Sequence, residues 1–437
     1  MTFMDEGIDR RDMLALMAAA PLALNPAVAG AAGSSAGAGA DRIEEDVQRY
    51  IGFGAKASGG AGDMASGEWI GAELAQAGYA VERVGFDAPY FDQEIAQLRI
   101  NGSRAELIPQ AIVQQTSGDG VRGALFRFDP EQPLTIPAKA IVLVDLPKRA
   151  WSTATDPVIR RAIAACVEAR AAAIVLITNG PTGEAIALNA PADAPLSPIP
   201  TACLAPRDAA PFLSAAQSQS EATLRINGRA GWRPAFNIMG RWTSPGASKK
   251  VIVTTPRSGW LTCAAERAPG IAAWLDLMRW LPTSGLDLDV IFSSNSGHEY
   301  ENLGASHQVD GRLPRPEETA LFLLFGASIV TRATVERDGQ LRILPRPSEK
   351  RACIVTGSQA SRARTYFSGW PGWPDPAIVT DGGAGEAGTA IKAGYPNVIG
   401  LIGANPYHHV AGDTGAIVDA HYIRQIARAS RKVLQSL

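Results

Sequence analysis

The 437-residue chain is poor in cysteine, histidine and aromatic side chains, with 4 Cys, 5 His and only 7% Phe, Trp and Tyr. Cys166, Cys203, Cys263 and Cys353 lie far apart and form no CxxC pair, which excludes the usual thiolate zinc sites. Two readings stay open for them: one or two disulfides in an oxidising compartment, or buried free thiols in apolar segments. Charge of neither sign dominates. The 41 Lys and Arg against 43 Asp and Glu leave a formal charge of −2, so no basic surface points to nucleic acid or to anionic lipid. No run reaches the about 18 apolar residues of a transmembrane helix, and the mature chain is not expected to span a membrane. No internal repeat is apparent.

What is present begins at the N-terminus. Asp9-Arg10-Arg11-Asp12-Met13-Leu14 precedes a short apolar run to about Ala23, and Ala27-Val28-Ala29 fits a small-residue cleavage site. A twin-arginine pair before a weakly hydrophobic segment predicts export to the periplasm or medium. Residues 1–29 are then a signal peptide, and the Ala/Gly/Ser-rich 30–40 a flexible leader. The roughly 400 remaining residues exceed one typical core and predict two domains.

Residues 41–87 predict helix, loop, helix and strand. The helix through Ser66-Gly67-Glu68-Trp69-Ile70 and Leu74 stops at Gly78, and Val81 to Phe86 alternates like a strand. Residues 88–232 change character and are rich in Pro and Ala. The apolar runs Ala140–Asp145 and Ala173–Ile177 flank a helical stretch near 157–170, the pattern of a parallel βαβ unit. From 233 to 437 continuous apolar strands, at Val251–Thr254, Val290–Phe292, Leu321–Phe325 and Val398–Ile402, alternate with helices at Gly270–Leu281 and 418–436. That pattern predicts an α/β fold with a buried, mostly parallel sheet flanked by helices.

Two segments carry the chemistry: Gly297-His298-Glu299-Tyr300-Glu301-Asn302-Leu303-Gly304-Ala305 and Tyr407-His408-His409-Val410-Ala411-Gly412-Asp413-Thr414. Together they resemble the second and last metal-ligand segments of the M28 family of zinc aminopeptidases. Ala65–Ile70 followed by Gly78-Tyr79 resembles the lead-in helix of those enzymes, and Asn237–Arg241 with the Val251 strand resembles the opening of their catalytic domain. Residues 88–232, with Pro198-Ile199-Pro200-Thr201-Ala202 near their end, resemble the protease-associated (PA) domain inserted in many such proteins. The resemblance implies an M28-type catalytic domain with a PA-like α/β insert, and small-molecule or peptide substrates.

The ligand set departs from the family. Where His-x-Asp should end the first strand stands Pro256-Arg257-Ser258. Where Asp-Asn-Gly-Ser-Gly should supply a bridging acid stands Glu266-Arg267-Ala268-Pro269-Gly270, which keeps a carboxylate but adds an arginine that competes for it. The Glu-Glu pair of base and ligand is His298-Glu299, and the strand Leu321–Phe325 ends without an acid. A two-ion centre is therefore not expected. Glu266, Glu299 and His409 would correspond to the triad that holds one zinc in glutaminyl cyclases of the same fold, a normal catalytic donor set. His298 stands at the base position, where an imidazole works near neutral pH. His408 is a neighbour of the ligand, and Glu386 is an acid/base or extra-ligand candidate, or else a solvated loop acid; Asp381 lies in the same loop. Trp260, Trp370 and Trp373 are candidate pocket walls or plain core.

The implied function is an exported M28-like metallohydrolase that attacks an amide or related carbonyl with one zinc ion. Two alternatives stay open: an inactive binding protein on this fold, and a metal-independent hydrolase that uses Ser258. Glu266–Arg267 as a simple surface pair is the bland reading of that segment. Gly383-Ala384-Gly385-Glu386-Ala387-Gly388 matches GxGxxG after a strand, but its helix is too short and the next strand ends in no acid, which argues against a dinucleotide. Gly33-Ser34-Ser35-Ala36-Gly37 matches GxSxG only formally, since it lies in the leader.

Overall fold

The structure is a computed structural model that describes residues 42–132, 135–337, 340–367, 375–380, 383 and 385–437. The expected signal peptide and leader, Trp370, Trp373 and Asp381 lie outside the described residues.

The chain opens with helices α1 (Arg42–Gly52) and α2 (Ala61–Gln76) and then a 21-residue strand β1 (Ala80–Ile100). Strands β2 (Ser103–Pro109), β3 (Val121–Phe128) and β4 (Ile141–Asp145) follow, then α3 (Pro157–Glu168), β5 (Ala173–Ile177), β6 (Thr201–Leu204) and α4 (Ala210–Gln217). A 23-residue strand β7 (Glu221–Thr243) leads back. It is succeeded by β8 (Lys249–Pro256), α5 (Ala264–Trp280), β9 (Leu288–Asn295), α6 (Leu303–Val309) and β10 (Thr319–Phe325). The hairpin β11 (Arg332–Arg337) and β12 (Gln340–Pro347) precedes β13 (Arg351–Val355), α7 (Ala360–Phe367), β14 (Ala377–Ile378), α8 (Gly385–Lys392), β15 (Val398–Gly403) and α9 (Ala420–Gln435).

Two sheets share the β1–β7 ribbon. In the first, β2, β6, β5, β4 and β3 run from β1 round to β7, and β1 pairs with β7, so seven strands close on themselves. The βαβ unit expected from the sequence is there, with β4, β5 and β6 parallel and α3 between the first two. Asp156 starts α3 by accepting the Val158 amide at 2.9 Å, and Pro157 sits at its first position. In the second sheet the order β7-β9-β8-β10-β15-β13-β14 is parallel from β9 to β15. Side chains alternate between its faces. Val251, Val253, Leu321, Leu323 and Phe325 pack under α1, α2, α5, α7 and α9, while Ile252, Phe322 and Leu324 meet α8. Burial on both faces is what made these strands read as continuous apolar runs.

The four cysteines are unpaired and buried, and burial pushes the thiols of Cys166 and Cys203 up to about 12. They are core residues. Helix α5 begins six residues earlier than the expected Gly270 and carries Pro269 inside it. Its start is fixed from far away: Asp413 accepts the amides of Ala265 at 2.7 Å and Glu266 at 3.1 Å, satisfying donors that every helix N-terminus leaves open.

Arg257, just past β8, ties the lead-in helix to the sheet. Its Nε lies 3.0 Å from Asp63 Oδ1, Nη1 donates to Ser294 O at 2.9 Å and Nη2 to Phe236 O at 2.6 Å, all out of solvent. Asp63 in turn accepts the Ser296 hydroxyl at 2.7 Å. Replacing Arg257 by Met strands the Asp63 charge, so Arg257→Met is expected to lower unfolding free energy by about 3–5 kcal/mol. Urea denaturation checks this; a loss under about 1 kcal/mol, the scale of an exposed pair, would show that Arg257 is no tie.

Candidate metal centre

The site lies at the C-terminal edge of the parallel strands, where open α/β sheets place their ligands. Four turns converge there: Arg257 and Ser258 after β8, Ser296 to Glu299 after β9, Ser328 after β10, and Asn405 to His409 after β15. The first turn of α5 brings Glu266 and Arg267, and α8 brings Glu386. Cys263, Glu301, Asn302, Ser328 and His409 all have positive φ without being glycine. Such strain persists only where the surroundings enforce it, and it gathers at functional sites.

Glu266, His408 and His409 each offer one ligand atom, and the three atoms lie within 4.8 Å of one another. His409 Nε2 is 3.2 Å from Glu266 Oε1, and His408 Nδ1 is 3.8 Å from it. The Nδ1 of His409 sits 2.8 Å from the Ala187 carbonyl, which takes the ring proton and leaves Nε2 as the free lone pair. The two imidazoles stack with centroids 3.8 Å apart and planes 21° apart, so their in-plane lone pairs run nearly side by side. His408 Nε2 meets Ser152 Oγ at 3.2 Å.

Glu266 and Arg267 are both shut off from solvent, and Arg267 Nη2 stands 2.8 Å from Glu266 Oε1. The surface-pair reading is therefore corrected: the first turn of α5 points into the interior, not outward. Arg267 Nε donates to Ser258 O at 2.9 Å. Burial works to raise the Glu266 carboxyl, but Arg267 first, then His409 and His408, outweigh it and hold it well below the usual range. Burial, then the charge of Arg267, keeps the His298 imidazole neutral, well below its ordinary value. Burial and then His409 lower His408 to about 3.

Glu299, expected as a third ligand, stands outside this group. Its Oε1 accepts the Ser58 amide at 2.6 Å and its Oε2 the Ser258 hydroxyl at 2.7 Å, and burial raises its carboxyl. Ser258, the candidate nucleophile, gives its proton to Glu299 and accepts the backbone amide of His298 at 3.1 Å. The His298 ring turns instead towards Glu386, with Nδ1 3.7 Å from Oε1. Glu386 is buried at the start of α8 rather than solvated in a loop, and its Oε2 accepts Asn295 Nδ2 at 2.8 Å. Of the other histidines, His307 is half-buried against Phe86 and His421 is exposed on α9. Trp260 packs edge-on to Tyr300 and donates to Asn189 Oδ1 at 2.9 Å.

Residues 152–190 contribute further contacts. Besides Ala187 and Ser152, Ala190 N donates to Glu299 O at 3.0 Å, Glu184 Oε2 accepts the Gly412 amide at 3.0 Å, and Thr153 and Thr155 both reach Glu301 at 2.9 Å. The residues 182–190 carry no motif, so sequence offered no signal for them.

A carboxylate with two imidazoles is an ordinary donor set for a divalent transition ion. Glu266 Oε2 and His408 Nδ1 are buried without a hydrogen bond, so they fit one cation beside the Arg267 contact to Glu266 Oε1.

Solved structures share this architecture. A zinc aminopeptidase from Bacillus subtilis superposes with a TM-score of 0.71 at 16% identity, over 90% of this chain and 94% of that one. A peptidase M28 precursor from Shewanella amazonensis SB2B does so with 0.65 at 14% identity, over 90% and 95%. An aminopeptidase from Aneurinibacillus sp. strain AM-1 gives 0.63 at 12%, over 90% and 93%. No protein-family model and no curated protein matches the sequence. The chain has the M28 zinc aminopeptidase fold.

Burial raises the Glu386 carboxyl from 4.5 to about 7, against the Asn295 hydrogen bond and Arg267. The folded state thus keeps a proton that the unfolded chain releases. The associated stability is complete below the unfolded value, 4.5, and is lost as pH rises through about 7. Wild type should lose up to about 3 kcal/mol more unfolding free energy than Glu386→Gln between acid and mildly alkaline pH. Urea titrations at the two pH values test this, and identical pH dependence of the two proteins refutes it.

Proposed function

We propose that the protein is an exported M28-fold metallohydrolase with one divalent cation, zinc by analogy with its structural neighbours. Its substrates are peptides or small amides. Glu266 and His409 would hold the ion, with His408, stacked and tied only to Ser152, as the adjustable third ligand. When bound, such an ion polarises a carbonyl or lowers the pKa of a water. The observation that carries the reading is the convergence of buried acceptor atoms without hydrogen bonds, Glu266 Oε2, His408 Nδ1, His298 Nδ1 and Glu386 Oε1, beside Glu266 Oε1, which meets Arg267 and His409. Native interiors rarely leave such atoms unmatched, and a cluster of them marks a ligand site.

The chain's own groups suit carbonyl chemistry. Glu386, with its carboxyl near 7, can hold a proton or release it at neutral pH. His298 Nδ1 faces it 3.7 Å away, beyond a direct hydrogen bond. Ser258 and Glu299 brace the turn after β9 against Ser58, so the Ser258 hydroxyl has no imidazole base. Twin-arginine export remains part of the proposal on the strength of residues 1–29.

Elemental mass spectrometry of the mature protein, purified without chelator or a metal-carrying tag, should find about one zinc per chain. Glu266→Gln and His409→Ala should lose it, and Glu299→Gln should retain it. Absence of stoichiometric metal, even after soaking in zinc, would overturn the metal reading in favour of a binding protein on this fold.

A further inference from the structure

The formal charge of −2 is unevenly spread. Helices α7 and α9 pack side by side and carry Arg362, Arg364, Arg424, Arg428, Arg431 and Lys432, with no Asp or Glu in either. Arg431 is answered by Asp276 at 2.6 Å and Arg364 by Asp375 at 3.7 Å. Arg428 and Lys432 are exposed, and their side chains make no ion pair and no hydrogen bond among the described residues. They stand one turn apart on α9, where like charges repel. The dipole of α9 favours a cation in its last turn, which accounts for Lys432 but not for Arg428. Between the helices runs a groove of about 260 Å³, lined by Thr365, Tyr366, Gln425, Arg428, Ala429 and Lys432. Ala429 is buried and too small to fill it, and no carboxylate lines it. Space for a ligand therefore adjoins two unmatched cations.

We propose that this groove binds one phosphate monoester group. Charge decides the class of ligand. Such a group carries about −1.5 to −2 at neutral pH and offers strong acceptor oxygens, so it neutralises both cations, whereas a carboxylate would leave one over. The Arg428 guanidinium supplies a planar fork of donors that matches phosphate oxygens, and Lys432 a compact point charge. The phenol of Tyr366 makes no hydrogen bond among the described residues and offers a further donor. No residue of the groove belongs to the metal centre, so the site goes beyond the function proposed above and does not depend on it. The balanced composition hides this face because the acids that offset it sit on other elements.

Calorimetric titration of the full chain with glycerol 3-phosphate tests this at low salt, where such contacts are least screened. Wild type should bind it, and Arg428→Gln with Lys432→Gln should weaken binding by about tenfold or more. Both side chains are exposed, so the fold should survive the change. Arg337→Gln with Arg342→Gln, on the β11–β12 hairpin, removes the same charge elsewhere and should leave the affinity unchanged. Sedimentation with vesicles separates the sources of the group. If it comes from a lipid, vesicles of phosphatidic acid in phosphatidylcholine, and not phosphatidylcholine alone, should carry down wild type and leave the Arg428/Lys432 variant in solution. Binding of glycerol 3-phosphate without the vesicles points to a soluble phosphate compound. Failure of wild type to bind either probe, or equal affinity in wild type and the Arg428/Lys432 variant, overturns the proposal. An equal loss in both double variants, the mark of ordinary counter-ion uptake, overturns it too.

Discussion

The ion pair of Glu266 with Arg267 is the constraint around which the centre is arranged. Both charges are out of water, and each costs several kcal/mol to desolvate. The fold answers with dipoles rather than further charges. Ser258 O receives Arg267 Nε, and the amide of Glu266 itself is capped by Asp413. Around the pair, other titratable groups are held towards neutrality: Glu386 and Asp413 are raised to about 7 by burial, and the rings of His298 and His408 are kept unprotonated. Burial thus outweighs the pull of Arg267 on Glu386 and Asp413, which is the setting in which a carboxyl can exchange protons near neutral pH.

The closed ring of β1 to β7 supports that arrangement. The carbonyl of Ala187 selects the tautomer of His409, the amide of Ala187 returns to the His409 carbonyl, and Glu184 grips Gly412 three residues on. A β-carbon at Gly412 would come within 2.5 Å of Glu184 Oε1, so the absence of a side chain there is what allows the approach. The loop bearing both histidines is held jointly by the strand β15 that precedes it and by residues 184–187.

Much of this was legible in the residues. Burial of β8, β10 and β15 on both faces left uninterrupted apolar runs, and β4, α3 and β5 announced a parallel crossover by their spacing. Near the site, His298-Glu299 and His408-His409 lie in two of the turns that converge on Glu266 and Glu386. What could not be read was direction. Nothing local tells whether Arg267 turns outward or inward, whether Glu299 faces Glu266 or Ser58, or that His408 stacks on His409. The early start of α5 was hidden for the same reason, since its cap comes from Asp413, distant in sequence.

Strands β1 and β7 pair almost without break from Ala80 opposite Arg241 to Arg99 opposite Thr223, with one register shift between Gln93 and Ile95. The same two strands close the ring, and β7 borders the second sheet through β9. They act as a shared girder, and a girder has no hinge. Many enzymes with a cap over the site admit substrate by swinging one lobe from the other. Here that motion would tear a paired ribbon, so the ring and the second sheet are held as one frame, and movement at the site is left to its loops and side chains.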